Sequence, residues 1–226
     1  MTIKVKVCGI TDEKEMKKIE KMNVDRIGFI NIERSKRNIS INRINYLGKK
    51  LKNKHTGTLV LEPDNAYKTI ETINRTQIFN IQLHSLNHYD LRYLQWLNQY
   101  HNCTHLNITK VIGLSKSIDK KVIDEIKMYG LNCENILLDY VDDGLTGGTN
   151  KQIPIETAVR ASKIIKSVNR NINVILAGGL NLEYLETVQE NLCYFDMIDL
   201  NSGVEISPGR KNVTQIKKIL KMTKEL

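Results

Sequence analysis

Short apolar runs alternate along the chain with longer stretches in which apolar residues recur every three or four positions. Between two such runs, Ile155, Ala158, Val159, Ser162 and Ile165 share one face at the helical period. The short runs predict eight strands, at residues 3–8, 26–30, 58–61, 78–83, 109–114, 135–139, 173–177 and 195–200. Eight strand–helix periods imply a parallel sheet with helical crossovers, and in 226 residues they match a closed (β/α)8 barrel, the TIM barrel.

Turn chemistry agrees with this division of the chain. We expect helices to begin at the caps Asp12, Ser40, Ser117 and Asn181, and we place Pro63 and Pro154 in first helical turns. An open doubly wound sheet is the alternative, but it usually has fewer strands, and no GxGxxG fingerprint follows the first strand. We therefore predict a single α/β barrel domain over residues 1–226.

Composition indicates where the protein is located in the cell and which binding partners it can have. Hydrophobic residues make up 41% and charged residues 26%, as in an ordinary soluble globular protein, and no apolar run is long enough to cross a membrane. The four cysteines form no CxxC pair, so neither disulfides nor a zinc site is implied, and we expect a cytoplasmic protein. The net charge of +9 comes from lysines scattered over helical segments, which argues against a nucleic-acid partner. Cys103, Cys133, Cys193 and Trp96 are predicted to pack against the fold.

Polar residues at the carboxyl ends of barrel strands are the candidates for chemistry, because active sites of such barrels lie there. Cys8 ends the first predicted strand, next to Gly9 and a predicted helix cap. A lone cysteine is most often a small buried apolar residue, and this stretch alone leaves that alternative open. The other candidates at the same end are Arg34, Lys36, Arg37, Gln82, His84, Asp139, Gly178, Gly179, Asn201, Ser202 and Gly203.

Glycine-rich loops follow the last three predicted strands. Their sequences are DDGLTGGTN, LAGGLN and NSGVEISPG. Glycine lets backbone N–H groups approach an anion closely, and the last two loops of such a barrel are its usual phosphate site. Tight turns would explain any one loop, but three in succession favour a phosphate ligand.

Eight motifs lie in order from Lys4 to Lys211, over essentially the whole chain. They are KVCGIT, DRIGFI, RSKRNIS, IQLHS, ILLDY, GGTNK, ILAGGLN and LNSGVEISPGRK. Together they resemble the phosphoribosylanthranilate isomerase family of tryptophan biosynthesis. The resemblance implies an Amadori rearrangement of N-(5-phosphoribosyl)anthranilate to 1-(2-carboxyphenylamino)-1-deoxyribulose 5-phosphate. It also implies that no metal or organic cofactor is needed, and it leaves monomer and homodimer open.

The resemblance assigns roles by motif match. It implies Cys8 as the general base, Asp139 as the general acid and Arg37 as the partner of the anthranilate carboxylate. Gln82 and His84 are predicted to bind substrate, although His84 could equally cap a loop. The implied phosphate ligands are Gly148, Thr149, Gly178, Gly179, Ser202 and Gly203.

The implied chemistry makes demands on both reactive groups. The acid must protonate the furanose ring oxygen so that the ring opens to a Schiff base, and the base must then remove the proton from sugar C2. A free cysteine titrates near 8.5, so we expect a nearby cation to lower the pKa of Cys8. The sequence departs from the family at Ser85, Asn150 and Asn201, where we expect effects on substrate affinity more than on activity.

Other functions remain to be distinguished. A bifunctional histidine–tryptophan isomerase generally uses two aspartates, whereas strand one ends here in Cys8. A ribulose-phosphate epimerase uses metal-binding histidines at strand ends, where only His84 qualifies. A non-catalytic basic binding protein is the alternative outside enzymes, and salt-dependent nucleic-acid binding would reveal it.

Strand alternation makes a further prediction about the first strand. If Cys8 points into the barrel, Lys6 lies inside one layer below it, and Lys4 lies near the bottom. A lone buried ammonium is costly, so Lys6 needs a carboxylate. The adjoining last strand offers Asp199 in the inward phase, and we predict a Lys6–Asp199 ion pair. Lys6 reaching solvent at the bottom rim is the alternative.

Overall fold

The computed structural model describes residues 2–100, 106–142, 145–146 and 151–225, with the side chains of 98–100, 142 and 145–146 left out. The strands in this part of the chain are β1 Lys4–Val7, β2 Arg26–Asn31, β3 Gly57–Leu61, β4 Asn80–Leu83, β5 Asn107–Leu114, β6 Asn135–Asp142, β7 Leu145–Thr146, β8 Asn173–Leu176, β9 Met197–Leu200, β10 Glu205–Ser207 and β11 Arg210–Lys211. The helices are α1 Glu13–Glu20, α2 Ile41–Lys50, α3 Ala66–Thr76, α4 His88–Tyr100, α5 Lys120–Gly130, α6 Ile155–Val168, α7 Leu182–Thr187 and α8 Val213–Lys224.

Eight of these strands close into a parallel ring. Hydrogen bonds link them in the order β5-β4-β3-β2-β1-β9-β8-β6, and pairing of β5 with β6 completes the circle. The first and last barrel strands are in register, with Lys6 opposite Asp199 and Val7 opposite Leu200. The predicted (β/α)8 barrel is confirmed, and the open-sheet alternative is wrong.

Helix starts follow the predicted caps in three cases. The side chains of Asp12, Ser40 and Asn181 accept hydrogen bonds from backbone amides in the first turns of α1, α2 and α7. Ser117 is not a cap, because Asp119 accepts from the Val122 amide and α5 begins later. Both proline placements are wrong as well. Asn65 caps α3 beyond Pro63, and Pro154 is itself the N-cap residue of α6.

The strands separate two regions of packing. Side chains such as Val5 and Val7 face outward into the large core between strands and helices. The barrel interior holds two smaller apolar clusters, one around Val111, Leu137, Ile175, Ala177 and Met197, the other formed by Cys8, Ile30, Ile32 and Val60. Lys6 is buried inside the ring, and its Nζ lies 2.7 Å from Asp199 Oδ2. The predicted ion pair is confirmed, while Lys4 is exposed at the bottom.

Asparagines line the amino-terminal end of the barrel. Asn135 Nδ2 donates to Asn107 Oδ1 at 2.8 Å, and Asn173 Nδ2 donates to Asn135 Oδ1 at 3.0 Å. Together with Asn80, these residues surround a polar cavity, here called the basal cavity, which Lys6 and Gln82 also reach. Asn80 Nδ2 donates instead to the carbonyls of His55 and Gly57, so this end of the ring is held by side-chain as well as backbone hydrogen bonds.

Two predicted packing residues are more exposed than expected. Cys133 is buried, as predicted, but Cys193 is exposed on the short 3-10 helix that precedes β9. Trp96 stacks on Tyr93 on the outer side of α4 and stays 47% exposed, because this face has no further layer over it in the described part of the chain. Cys103 lies outside the described residues. Among those residues, no helix has the length and apolar character needed to span a membrane.

Candidate active site

A cavity opens at the carboxyl ends of the barrel strands and is called the mouth cavity below. It brings together most of the residues singled out in the sequence, although they are scattered along the chain. The predicted residues that line it are Cys8, Arg34, Lys36, Arg37, Gln82, His84, Asp139, Gly178, Gly179, Asn201 and Ser202. Asp199 also lines it, together with the apolar side chains of Ile30, Ile32, Val60, Leu137 and Ala177.

Cys8 is the first residue after β1, and its thiol lies against a glycine on the neighbouring strand. Its amide donates to Leu200 O at 2.8 Å, which extends the β1–β9 pairing by one bond. A Cβ at Gly28 would lie 2.6 Å from Cys8 Sγ, so no larger residue fits there without moving the thiol. Gly9 follows with φ +76°, a conformation that favours glycine, and turns the chain away from the ring.

The electrostatic setting of Cys8 differs from the expectation. Burial raises the pKa of the thiol above its ordinary value, Asp199 adds to the rise, and Lys6 and Lys211 oppose it without reversing it. The predicted net lowering by a nearby cation is therefore wrong, because burial of the thiol outweighs the cations. Cys8 is mostly the neutral thiol near pH 7, and the two lysines limit the cost of forming a thiolate.

Asp139 approaches the mouth cavity from β6, well away around the ring from β1. The carboxyl group is buried, and Oδ1 accepts a hydrogen bond from the Tyr140 amide at 2.9 Å. A Cβ at Gly178 would lie 3.3 Å from the same oxygen, so the loop after β8 passes close to this carboxyl group. Cys8 and Asp139 thus reach one cavity from different sides, which allows both to act on one bound molecule.

Arg37 belongs to a buried network of charges at the rim. Its Nε and Nη2 donate to Glu205, and Lys211 Nζ donates to the same carboxylate at 2.7 Å. Burial favours the neutral form of Glu205, but Arg37 and Lys211 outweigh it and hold the pKa of Glu205 below its ordinary value. Asn201 Oδ1 accepts from Lys211 at 3.0 Å. The network fixes the guanidinium of Arg37 at the wall of the mouth cavity.

A second chain of hydrogen bonds runs through the barrel interior to the rim. Lys6 Nζ donates to Gln82 Oε1 at 2.6 Å as well as to Asp199. Gln82 Nε2 lies 3.1 Å from Nε2 of His84. The turn beyond His84 is held by Ser85, whose carbonyl accepts from Lys110 Nζ at 3.0 Å. Gln82 thus connects the ion pair to the ring at the cavity wall.

The two glycine-rich loops after β8 and β9 pack backbone against backbone. Gly178 and Gly179 have positive φ, at +92° and +56°. A Cβ at Gly203 would lie 2.2 Å from Leu180 O and 2.6 Å from Gly179 O. Gly203 lies at this contact and directly follows Ser202, which lines the mouth cavity. The predicted ligands Gly148 and Thr149, with Asn150, lie outside the described residues.

Glu205, Lys211 and Gly28 are the parts of the site that sequence reasoning missed. All three stand in quoted motifs, yet the sequence does not reveal that Glu205 and Lys211 meet Arg37 of a separate motif, or that Gly28 lies against Cys8. For metals, the described part of the chain contains no group of three or more His, Cys, Asp and Glu side chains that could hold an ion.

A closed parallel ring with reactive side chains gathered at its carboxyl end places the protein among the (β/α)8-barrel enzymes. The sequence model of one family in that class, described as N-(5'phosphoribosyl)anthranilate (PRA) isomerase, matches residues 5–222. The chain therefore belongs to the phosphoribosylanthranilate isomerase family, as its motifs predict.

Individual relatives agree with the family assignment. The N-(5'-phosphoribosyl)anthranilate isomerase of Methanothermobacter marburgensis is 30% identical over 93% of this chain and 89% of its own length. The phosphoribosyl anthranilate isomerase of Thermotoga maritima superposes with a TM-score of 0.79 at 22% identity, over 99% of this chain and all of that one. A phosphoribosyl anthranilate isomerase solved with reduced 1-(o-carboxyphenylamino)-1-deoxyribulose 5-phosphate gives a TM-score of 0.74 at 23% identity, with the same coverage.

Proposed function

We propose that the chain isomerises N-(5-phosphoribosyl)anthranilate to 1-(2-carboxyphenylamino)-1-deoxyribulose 5-phosphate, a step of tryptophan biosynthesis. Membership of the family over residues 5–222 carries this proposal. Support comes from the mouth cavity, where a thiol and a carboxyl group face one space. The product is an aminoketose and the substrate an aminoaldose, so the reaction needs proton transfers and no redox step.

We assign the two proton transfers to Asp139 and Cys8. Asp139 donates a proton to the furanose ring oxygen, the C1–O bond breaks, and a Schiff base forms with the anthranilate nitrogen. Cys8 as thiolate then takes the proton from C2, and the resulting enolamine takes a proton at C1 and gives up the proton of its 2-hydroxyl to become the ketone. The positions of the two groups on different sides of the cavity support roles at two different atoms of one sugar.

Arg37 is suited to the anthranilate carboxylate. Within the described part of the chain its contacts with Glu205 use Nε and Nη2, and we assign Nη1 to an anion in the mouth cavity. Arg34 and Lys36 add positive charge to the same wall, which favours a substrate carrying both a carboxylate and a phosphate. We assign the phosphate to the backbones of Gly178, Gly179, Ser202 and Gly203, with Gly148 and Thr149 as further expected ligands.

Complementation of a tryptophan auxotroph that lacks the isomerase tests the function, with turnover of the purified protein as the second measure. Cys8→Ala and Asp139→Asn should each lower turnover by about 100-fold or more, with unchanged far-UV circular dichroism. A variant that keeps near-wild-type turnover would remove that residue from the chemistry. A sulfate ion soaked into crystals should bind between the loops after β8 and β9, and binding only elsewhere on the rim would contradict the phosphate assignment.

The remaining expectations concern the setting of the enzyme. We propose a single domain over residues 1–226, located in the cytoplasm and present as a monomer or a homodimer. A related Thermotoga maritima enzyme is described as dimeric, and monomers generated from it have been solved. Sedimentation of the purified protein distinguishes the two oligomeric states.

A further inference from the structure

The amide side chain of Asn201 is held by its oxygen end. Lys211 Nζ donates to Asn201 Oδ1 at 3.0 Å and to the backbone oxygen of the same residue at 3.3 Å. An ammonium group donates and never accepts, so the amide must turn its oxygen toward Lys211. Reversal would bring two donors, Lys211 Nζ and Asn201 Nδ2, together where no water can separate them, because the Lys211 side chain is 0% exposed.

Close packing against Gly9 favours the same orientation. A Cβ at Gly9 would lie 2.6 Å from Asn201 Oδ1, so the oxygen rests directly against the turn that follows Cys8. Glu205 Oε1 accepts from Lys211 Nζ at 2.7 Å, which gives the ammonium a third acceptor and fixes its position. The oxygen end of the Asn201 amide is therefore covered by Gly9 and by Lys211.

The NH2 end of the same amide has no partner. Asn201 Nδ2 makes no hydrogen bond within the part of the chain that the structure describes, and it is not among the fully buried polar atoms that lack one there. Asn201 lines the mouth cavity. Since Gly9 and Lys211 cover the oxygen, the NH2 group is the polar end of this side chain that remains open to the cavity.

Both places proposed for the anionic groups of the substrate adjoin Asn201. Ser202, the next residue, belongs to the loop assigned to the phosphate and lines the same cavity. Arg37 is assigned to the anthranilate carboxylate, and a Cβ at Gly9 would lie 3.2 Å from its Cγ, so Arg37 and Asn201 contact the same glycine. An N–H donor in this position suits an oxygen with negative charge, because hydrogen bonds to charged acceptors are the stronger ones.

We propose that Lys211 orients the amide of Asn201 so that Nδ2 donates a hydrogen bond to an anionic oxygen of the bound substrate, in its phosphate or in its carboxylate. Asn201 is then a binding residue, and Lys211 is a positioning residue that acts through it. The proposal rests on the proposed function, because both anionic groups belong to N-(5-phosphoribosyl)anthranilate.

Binding of each anion by itself tests the proposal without turnover. The side-chain NH2 signals of Asn201 are recorded by NMR in ¹⁵N-asparagine-labelled protein and assigned by their loss in Asn201→Asp. They are followed during titration with inorganic phosphate and, separately, with anthranilate. We expect at least one anion to shift these signals, and that anion identifies the group that Nδ2 binds. Signals that respond to neither anion would overturn the proposal, whatever the outcome of complementation.

Two variants separate binding from a purely structural role. Asn201→Asp keeps an oxygen for Lys211 but turns a carboxylate oxygen toward the anion, whereas Asn201→Leu removes both ends of the amide. Urea unfolding should therefore show Asn201→Leu to be the less stable variant. KM should rise by about tenfold or more in Asn201→Asp and by less in Asn201→Leu, with smaller changes in kcat. A structural role would give the same order in both measurements and would refute the proposal.

A matched control isolates the effect of the added charge. Asn171→Asp makes an equal change at an exposed residue just before β8, at the other end of the barrel, and should leave KM unchanged. If Asn201→Asp and Asn171→Asp have the same KM, Nδ2 of Asn201 does not bind the substrate.

Discussion

Replacing Lys6 with methionine tests the electrostatic design of the barrel interior. Methionine is similar in length and apolar, so the change removes the ammonium while filling much of the space. Asp199 and Gln82 Oε1 then lose their donor in a buried layer. Breaking one side of a buried ion pair costs about 3–5 kcal/mol, a large part of the 5–15 kcal/mol of a typical domain.

The same substitution acts on the thiol of Cys8. Lys6 lies two residues before Cys8 on one face of a strand, so their Cα atoms are about 7 Å apart, and the ammonium comes close enough to hydrogen-bond the thiol. Even at about 7 Å and an effective dielectric constant near 20, a unit charge is worth about 2 kcal/mol, or between one and two pKa units. Loss of a cation disfavours the thiolate, so the pKa of Cys8 rises further above its ordinary value. The rising limb of the pH profile of kcat/KM should move up by one to two units.

A double variant separates the two effects. Lys6→Met/Asp199→Leu removes both charges, so stability should recover most of the loss seen in Lys6→Met. Lys6 lowers the pKa of Cys8 more than Asp199 raises it, so the limb should lie lowest in the wild type, higher in the double variant and highest in Lys6→Met. Urea unfolding and pH–rate profiles measure the two quantities. Lys4→Met, exposed on the same strand, is the control. An unmoved limb in Lys6→Met would refute the reasoning.

Three further predictions concern other contacts of the site and the barrel. Glu205→Gln should raise KM about tenfold, because Arg37 is then held less firmly. The pKa of Glu205 is held below its ordinary value, so its ionic contribution to stability is present above about pH 4.3 and is lost as the pH falls below that. The stabilities of the wild type and Glu205→Gln should therefore converge in acid. Gly28→Ala should lower kcat at least tenfold with little change in circular dichroism, because the new methyl group meets Cys8 Sγ at 2.6 Å; unchanged turnover would contradict this contact. Asn135→Ala should cost about 1–3 kcal/mol in urea unfolding and leave KM unchanged, because all three hydrogen bonds of its side chain lie at the far end of the barrel.

Much of the fold could be predicted because the apolar periodicity that marks each strand and helix lies within a short segment of the sequence. Each barrel strand is a short apolar run and each crossover a helical repeat, so the count of eight and the chain order follow from the sequence. Lys6 and Asp199 could also be paired in advance, since strand alternation and ring closure fix both positions. Helix starts were less certain. Ser117 and Asp119 are both good caps, and only the position of α5 against the barrel decides between them.

The electrostatics of the site could not be predicted in the same way. Position alone indicated that Cys8 would face the cavity, but the balance between its burial and two lysines depends on packing. Lys211 lies far along the chain and reaches the site only through the turn between β10 and β11. The pairing of Arg37 with Glu205 joins residues 168 positions apart, and no local sequence pattern predicts a contact over that distance.

Two contacts between the ends of the chain also determine when during protein synthesis the barrel can close. The Lys6–Asp199 pair spans 193 positions, and the bond from the Lys211 amide to Glu15 spans 196. During translation the first strand leaves the ribosome long before the last barrel strand, so Lys6 stays exposed to solvent until Asp199 has been synthesised. A chain that ends before Asp199 can neither close the ring nor supply the carboxylate that Lys6 needs once it is buried. Premature termination therefore yields a polypeptide with an open barrel, which proteases can degrade. The mouth cavity forms only in chains that have been synthesised almost to the end.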